Sequence, residues 1–299
     1  MQKISFYFQL LKFRLSVTVV FSAAMGYLIG VDNFILIEFI LLIIGGILVT
    51  GSANGFNQIL EKDYDKLMLR TLNRPLPKNN LTLFQATFFS AIIGVLGLYL
   101  LNLIHSSNGF YGIMSKSTFF GLVSILMYVL SYTPLKRIST LSIFVGAIPG
   151  AIPFLLGYVA ATDNFGLAAG ILFAIQFFWQ FPHFIAISWI RDEEYKQAGF
   201  KMMFGGVKGR YPAMISLITS TLMVVISVIP YFVLVDGFQL SIVSFFLVVI
   251  LGIWFTLKSV NLYTKTDDTI AKKLMMSSLI YLPVLQIIYV VDKYFFSQF

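Results

Sequence analysis

The sequence predicts an all-α polytopic membrane bundle of about nine transmembrane helices. Hydrophobic residues make up 58% of the chain and charged residues only 11%, whereas soluble domains carry about 25% charged residues. Apolar runs approach the roughly 20 residues that a helix needs to cross a bilayer. The runs lack the period-two alternation of membrane strands, so each is predicted to be a helix. We treat residues 1–299 as one integral membrane domain.

The predicted helices follow from nine apolar runs. The first is too long for the core of a signal peptide, carries Arg14 near its start and lacks a small-residue cleavage site, so it is interpreted as a span. The fourth is short, and the helix is expected to extend beyond it. The runs are 10–30, 34–60, 82–104, 118–132, 141–161, 165–189, 212–235, 239–260 and 272–291.

The fifth run combines small residues with prolines. Gly146 and Gly157 favour close helix packing, and Pro149 and Pro153 predict bends. Packing accounts for this pattern, and a bent wall around a ligand cavity is the alternative.

The distribution of basic residues predicts the orientation. With the N-terminus inside, all but Lys116 and Lys293 of the 21 lysines and arginines lie in inner segments. This pattern predicts a multi-pass protein of the cell's inner (cytoplasmic) membrane, with a cytoplasmic N-terminus and an outer C-terminus. The net charge of +8 then reflects inner loops and does not indicate nucleic-acid binding. The absence of cysteine excludes disulfides, thiolate nucleophiles and iron–sulfur clusters.

A polar stretch follows the second run. Residues four apart advance about 40° around a helix, so Asn57, Glu61 and Asp65 would form one stripe, with Asp63 pointing elsewhere. Three oxygen ligands on one stripe suit Mg²⁺, a hard cation that is commonly bound together with substrate phosphates.

Two arginines, themselves four residues apart, indicate a phosphate ligand. Arg70 and Arg74 follow the stripe, and guanidinium groups pair well with phosphate oxygens. Carboxylates followed by arginines favour a site for a metal and a polyphosphate together. The alternative is an ordinary charged cytoplasmic loop. Asn57 argues against this alternative, because an amide in an apolar span usually has a hydrogen-bond partner or a functional role.

A second polar stretch lies four spans later, at about 190–211. Its acidic residues would supply a second set of metal ligands, and its basic residues would contact phosphate. The residues concerned are Asp192, Glu193, Glu194, Arg191, Lys196 and Lys201. The hypothesis requires the two polar stretches to meet at one end of the bundle.

Two further features are ambiguous. His183 lies within a span directly after Pro182, so it is either a functional histidine or one bonded to a neighbouring helix. Lys136 and Arg137 form either a topology anchor or part of a phosphate site.

These motifs, in this order, resemble the UbiA superfamily of intramembrane prenyltransferases. The first is Asn57-x-x-x-Glu61-x-Asp63-x-Asp65. The stretch 68–75, with 132–137 and 179–199, is similar to the haem O synthase branch (protohaem IX farnesyltransferase). The resemblance implies a nine-helix bundle around a central cavity that opens laterally to lipid.

The resemblance also implies an activity. It implies Mg²⁺-dependent transfer of a farnesyl group from farnesyl diphosphate to a vinyl group of haem B, giving haem O for terminal oxidases. The expected partners are these two substrates, the lipid bilayer and, as further candidates, haem A synthase or oxidase assembly factors.

The family's site residues map onto this chain by motif. The implied Mg²⁺ ligands are Asn57, Glu61, Asp65 and Asp192. The implied diphosphate contacts are Arg70, Arg74, Lys136, Arg137, Arg191 and Lys201. His183 is expected to orient the haem or ligate its iron.

Two departures from the superfamily pattern bear on the metal site. Glu61 replaces the usual Asp, although its longer side chain still reaches a metal. Lys196 replaces the last Asp of the second motif, which argues against a second full metal site.

Three other functions are the alternatives for this sequence. A UbiA-type enzyme acting on an aromatic quinone precursor has the same donor site. A small-molecule transporter would place its polar groups near the bilayer midplane, whereas here they cluster at one surface. A structural oxidase subunit would leave the stripe from Asn57 to Asp65 unexplained.

Overall fold

The computed structural model describes residues 2–105, 112–236 and 238–296, and it is built from helices. The helices are Gln2–Leu10 (α1), Phe13–Gly30 (α2), Leu36–Leu60 (α3), Lys62–Asp65 (α4), Leu83–Asn102 (α5), Lys116–Leu126 (α6), Thr133–Ile138 (α7), Leu141–Thr162 (α8), Leu167–Ile190 (α9), Asp192–Gln197 (α10), Arg210–Ser227 (α11), Ile229–Phe232 (α12), Ile242–Lys265 (α13) and Asp268–Phe295 (α14).

The predicted number of spans is confirmed within the described residues, where nine segments are long and apolar enough to cross a membrane. Helices α6 and α7 join through the π-helical segment Met127–Tyr132 into one span of 23 residues, which extends the short fourth run at both ends. Helices α11 and α12 likewise form one span, Arg210–Phe232. The all-helical, multi-pass prediction is therefore correct.

Helix α8 is the centre of the bundle. Of its most apolar window, 72% is buried, more than in any other described span. It lies against α2, α6 and α9. A Cβ on Gly157 would lie 1.8 Å from the carbonyl oxygen of Ala23, so the backbones of α8 and α2 meet there without room for a side chain.

The prolines of the central helices do not end them. Helix α8 continues through Pro149 and Pro153. Because Pro153 has no N–H, the carbonyl of Pro149 needs another donor, and the Ser124 hydroxyl donates to it at 3.2 Å. Helix α9 contributes Gln180, which donates to the carbonyl of Ala147 at 2.8 Å. Ser124 thus replaces the hydrogen bond lost at Pro153, and Gln180 adds a buried hydrogen bond between α9 and α8.

Replacing Gly157 by alanine should destabilise the bundle. The added methyl group cannot fit against the backbone of α2, and such overpacking costs about 1–3 kcal/mol. Gly170, within α9, is the matched control because nothing lies within 4 Å of a Cβ placed there. Gly170→Ala should be neutral or stabilising by up to about 1 kcal/mol. Thermal unfolding of both variants in detergent tests this, and equal midpoints would contradict the close α2–α8 contact.

Candidate functional site

The predicted stripe lies at the C-terminal end of α3. Helix α3 ends at Leu60, Glu61 is its C-cap, and the short helix α4 carries Asp65. Asn57, Glu61 and Asp65 all line one cavity of about 130 Å³, the polar cavity. Asp63 is 80% exposed and pairs with Lys66 instead, so the prediction that it points elsewhere is confirmed.

The polar cavity holds two buried ion pairs. Lys136 Nζ lies 2.7 Å from Glu61 Oε1, and Arg74 Nη1 lies 2.9 and 2.7 Å from the two Asp65 oxygens. Asp65 is fully buried. Burial raises the pKa of Asp65 above its ordinary value, while Arg74 opposes this shift by favouring the charged form. Each of these buried carboxylates thus needs a nearby cation to balance its charge, and either a basic side chain or a metal can supply it.

Lys12 is a cavity residue that the sequence did not indicate. Its ammonium donates to Asn57 Oδ1 at 3.0 Å, and Asn57 Nδ2 donates to Thr133 Oγ1 at 3.2 Å. Desolvation, with smaller contributions from the nearby charges of Arg74 and Lys136, lowers the pKa of Lys12 to about 7. The part of this shift that comes from Arg74 and Lys136 reflects a concentration of positive charge, which favours an anionic ligand in the cavity.

The charge of the lining supports the same conclusion. Four basic side chains face two carboxylates, so the net charge is positive when all are ionised. The charged residues that line the polar cavity are Lys12, Glu61, Asp65, Arg70, Arg74 and Lys136. Electrostatics therefore favour a ligand that carries several negative charges.

A π-helical turn contributes the aromatic wall. Pro134 lacks the N–H that would bond the carbonyl four residues earlier, and the chain widens over Met127–Tyr132. Tyr128 and Tyr132 line the polar cavity, and Lys136 Nζ lies 4.4 Å from the centre of the Tyr132 ring. The signal available in the sequence was the proline, which marks where a regular helix is interrupted.

An apolar cavity of about 110 Å³ adjoins the polar one. It lies between α2, α3, α6 and α8, and Tyr128 lines both cavities. Its other walls include Val19, Val49, Ile125 and Pro153. The position of Pro153 matches the alternative in which the proline-rich run forms part of a cavity wall.

The second polar stretch meets the first at the same end of the bundle. Asp192 and Lys201 line a neighbouring cavity of about 170 Å³, and Tyr195, Phe200 and Met202 line both this cavity and the polar one. This arrangement is consistent with the predicted convergence of the two stretches.

The predicted four-ligand metal set is not assembled, however. Asp192 instead pairs with Lys196 at 2.7 Å. Within residues 2–105, 112–236 and 238–296, no three acidic or histidine side chains form a metal-ligand group. Asp192 thus lines the neighbouring cavity and is paired with Lys196, whereas Glu61 and Asp65 line the polar cavity.

Three other predicted residues line neither the polar cavity nor its neighbour. Arg137 packs over the Tyr64 ring, with its guanidinium carbon 4.3 Å from the ring centre. Arg191 pairs with Glu194 at 3.0 Å.

His183 is the third of these residues. It bonds Ser278 Oγ of α14 at 2.8 Å and stacks on Trp179. This geometry matches the alternative in which His183 is bonded to a neighbouring helix, and its role at haem stays a prediction.

The oxygen donors of the polar cavity fit a divalent cation. Asn57, Glu61 and Asp65 present amide and carboxylate oxygens to one space, which is the donor chemistry that Mg²⁺ prefers. The basic side chains that neutralise these carboxylates, Arg74 and Lys136, would also suit an anionic ligand of such a cation.

A family model described as the UbiA prenyltransferase family matches residues 19–280. The chain belongs to this family. It is 42% identical over 289 residues to a protein named protoheme IX farnesyltransferase from Flavobacterium psychrophilum, covering 96% of this chain and 93% of that one.

Solved structures share the UbiA fold. A digeranylgeranylglyceryl phosphate synthase superposes with a TM-score of 0.79 at 21% identity, covering 98% of this chain and 99% of that one. A UbiA homolog from Archaeoglobus fulgidus, solved with GPP and Mg²⁺, has a TM-score of 0.70 at 16% identity, covering 95% and 99%. The fold predicted by resemblance is therefore confirmed.

Removing Lys136 alone should lower the free energy of unfolding more than removing both Lys136 and its partner Glu61. Lys136→Met leaves Glu61 buried without its cation, which costs about 3–5 kcal/mol. Adding Glu61→Gln removes the stranded charge, so the double variant should recover much of the loss. Chemical or thermal unfolding of the two variants compares them, and a double variant no more stable than Lys136→Met would refute the pairing.

Proposed function

We propose that this UbiA family member is a protohaem IX farnesyltransferase, or haem O synthase. It would transfer the farnesyl group of farnesyl diphosphate to a vinyl group of haem B. The observation that carries the proposal is the junction at Tyr128, where a cationic polar cavity adjoins an apolar one. That pairing suits a prenyl diphosphate, and the relatives at about 40% identity named protoheme IX farnesyltransferase support the acceptor.

The donor is proposed to bind with its diphosphate in the polar cavity. Mg²⁺ would be held there by Asn57, Glu61 and Asp65, and a related structure that contains GPP and Mg²⁺ supports this choice of metal. Asp192 is proposed as the metal ligand from the second motif. To bind the metal, it must first leave its ion pair with Lys196.

Basic side chains then complete the diphosphate site. Lys12, Arg70, Arg74 and Lys136 line the polar cavity and would contact the phosphate oxygens. Lys201, Arg191 and Arg137 are proposed to contribute from the surrounding loops.

Catalysis would rest on neutralising the leaving group. The bond between farnesyl C1 and the diphosphate oxygen breaks, the oxygen keeps the electron pair, and the C1 carbon bonds to the terminal vinyl carbon of haem. Water adds to the adjacent carbon and loses a proton, which leaves a hydroxyethyl group and free pyrophosphate. Bound Mg²⁺ would supply charge to the departing diphosphate, and fixed cations in a low-dielectric site favour the same separation.

The cavity walls would direct the organic groups. The apolar cavity would hold the start of the farnesyl tail, and Tyr128 would exclude water from the reacting carbon. His183 is proposed to orient the haem, and a haem A synthase or an oxidase assembly factor is proposed to receive the hydrophobic product.

Purified protein incubated with haem B, farnesyl diphosphate and Mg²⁺ should form haem O, detected by mass. Asp65→Asn should lower turnover by about 10²–10³-fold, because it weakens metal binding where charge develops. Asp63→Asn is the matched control, since Asp63 is exposed and pairs only with Lys66. Unmodified haem, alongside a prenylated hydroxybenzoate in a parallel reaction, would move the assignment to quinone biosynthesis.

The proposed location is the cytoplasmic membrane, with the N-terminus and the polar cavity at the cytoplasmic side. Because the chain has no cysteine, single cysteines report orientation directly. Asp32→Cys, on the connection before α3, should react with an impermeant maleimide in intact spheroplasts. Asp63→Cys should react only after the membrane is opened, and the reverse pattern would invert the topology.

A further inference from the structure

The connection between α1 and α2 is bound by side chains of α3. The last carbonyls of a helix have no partner within it, and leaving them buried and unbonded is costly. Gln58 Nε2 donates to the carbonyl of Leu10 at 2.7 Å, and Asn54 Nδ2 donates to that of Leu11 at 3.2 Å. Both amides are buried, so they bond this connection in place of water.

Helix α3 is shaped to receive the connection. Positions 51, 54 and 58 lie on one helical face. A Cβ on Gly51 would lie 2.5 Å from Leu11 Cδ2, so the Leu11 side chain packs directly against the backbone of α3 at this glycine. Leu10 is fully buried. The contact is therefore a specific fit of the connection onto α3.

Lys12 adopts a left-handed backbone conformation in this connection, with φ 47° and ψ 53°. That conformation is unfavourable for a residue with a side chain, and it persists only where the surroundings hold it. From it, the Lys12 ammonium reaches Asn57 in the polar cavity.

We propose that Gln58, assisted by Asn54, is a positioning residue of the diphosphate site and acts through Lys12. The two amides bind the carbonyls that precede Lys12 and hold its backbone where the ammonium faces the polar cavity. Gln58 lines none of the three cavities described above and contacts no reacting group. The inference rests on the proposed function, because it takes the polar cavity as the diphosphate site.

The experiment measures binding of inorganic pyrophosphate in the presence of Mg²⁺ to the purified full-length protein, by calorimetry. Gln58→Met keeps the side-chain length and removes the donor. Gln286→Met is the matched control, since Gln286 is a buried amide that donates to Ser22 Oγ at 3.0 Å between α14 and α2. Both substitutions should lower the thermal midpoint by a similar amount.

Only Gln58→Met should weaken pyrophosphate binding, by about tenfold, and raise the KM for farnesyl diphosphate more than it lowers kcat. Lys12→Gly removes the ammonium while tolerating the left-handed backbone. In that background Gln58→Met should cause no further loss of affinity.

Two outcomes would overturn the positioning role. In the first, the losses of pyrophosphate affinity caused by Lys12→Gly and by Gln58→Met add in the double variant. In the second, Gln58→Met binds pyrophosphate as tightly as the unaltered protein. If the unaltered protein bound no pyrophosphate with Mg²⁺, the proposed function itself would fail, which is a distinguishable result. If Gln58→Met does not fold, Gln58→Leu, which also removes the donor and buries no charge, replaces it with the same expected loss of affinity.

Discussion

The C-terminal end of α3 carries four polar side chains that neither lipid nor bulk water can satisfy. Asn54, Asn57, Gln58 and Glu61 are all buried at the end of a span. A polar group in that position must find its partner inside the protein. Their partners are Leu11, Lys12, Thr133, Leu10 and Lys136. Satisfying one helix end therefore brings the start of α2 and the end of the α6–α7 span to a common point.

The ion pairs around this point are better explained by function than by stability. Burying a carboxylate and its cation costs desolvation energy that their attraction only partly returns, so such pairs are weak stabilisers. In the polar cavity, Glu61 and Asp65 are held by Lys136 and Arg74. In the proposed site, Glu61 and Asp65 would hold the metal, and Lys136 and Arg74 would then be available to contact phosphate oxygens, so the ion pairs keep both sets of side chains at one place.

The sequence predicted what depends on local pattern and missed what depends on tertiary contact. The spans and the stripe through Asn57 follow from run length and helical spacing, and both are present. Lys12 was missed because a left-handed turn before α2 directs its side chain, and no pattern marks that turn. The pairing of Asp192 with Lys196 follows their i,i+4 spacing. In this pair Asp192 lines the neighbouring cavity, whereas the other three predicted ligands line the polar cavity.

The position of the polar groups along the bundle also distinguishes among functions. A transporter needs its binding site near the middle of the membrane, where two gates can alternate around it. Here the charged residues collect where α3 ends, and the adjoining cavity toward the membrane interior is lined by residues such as Val49 and Ile125. A ligand that fills both cavities must be charged at one end and hydrophobic over the rest of its length. An ion or a small polar solute would leave the apolar cavity unfilled, whereas the proposed prenyl diphosphate would occupy both cavities, with its reactive carbon at the boundary beside Tyr128.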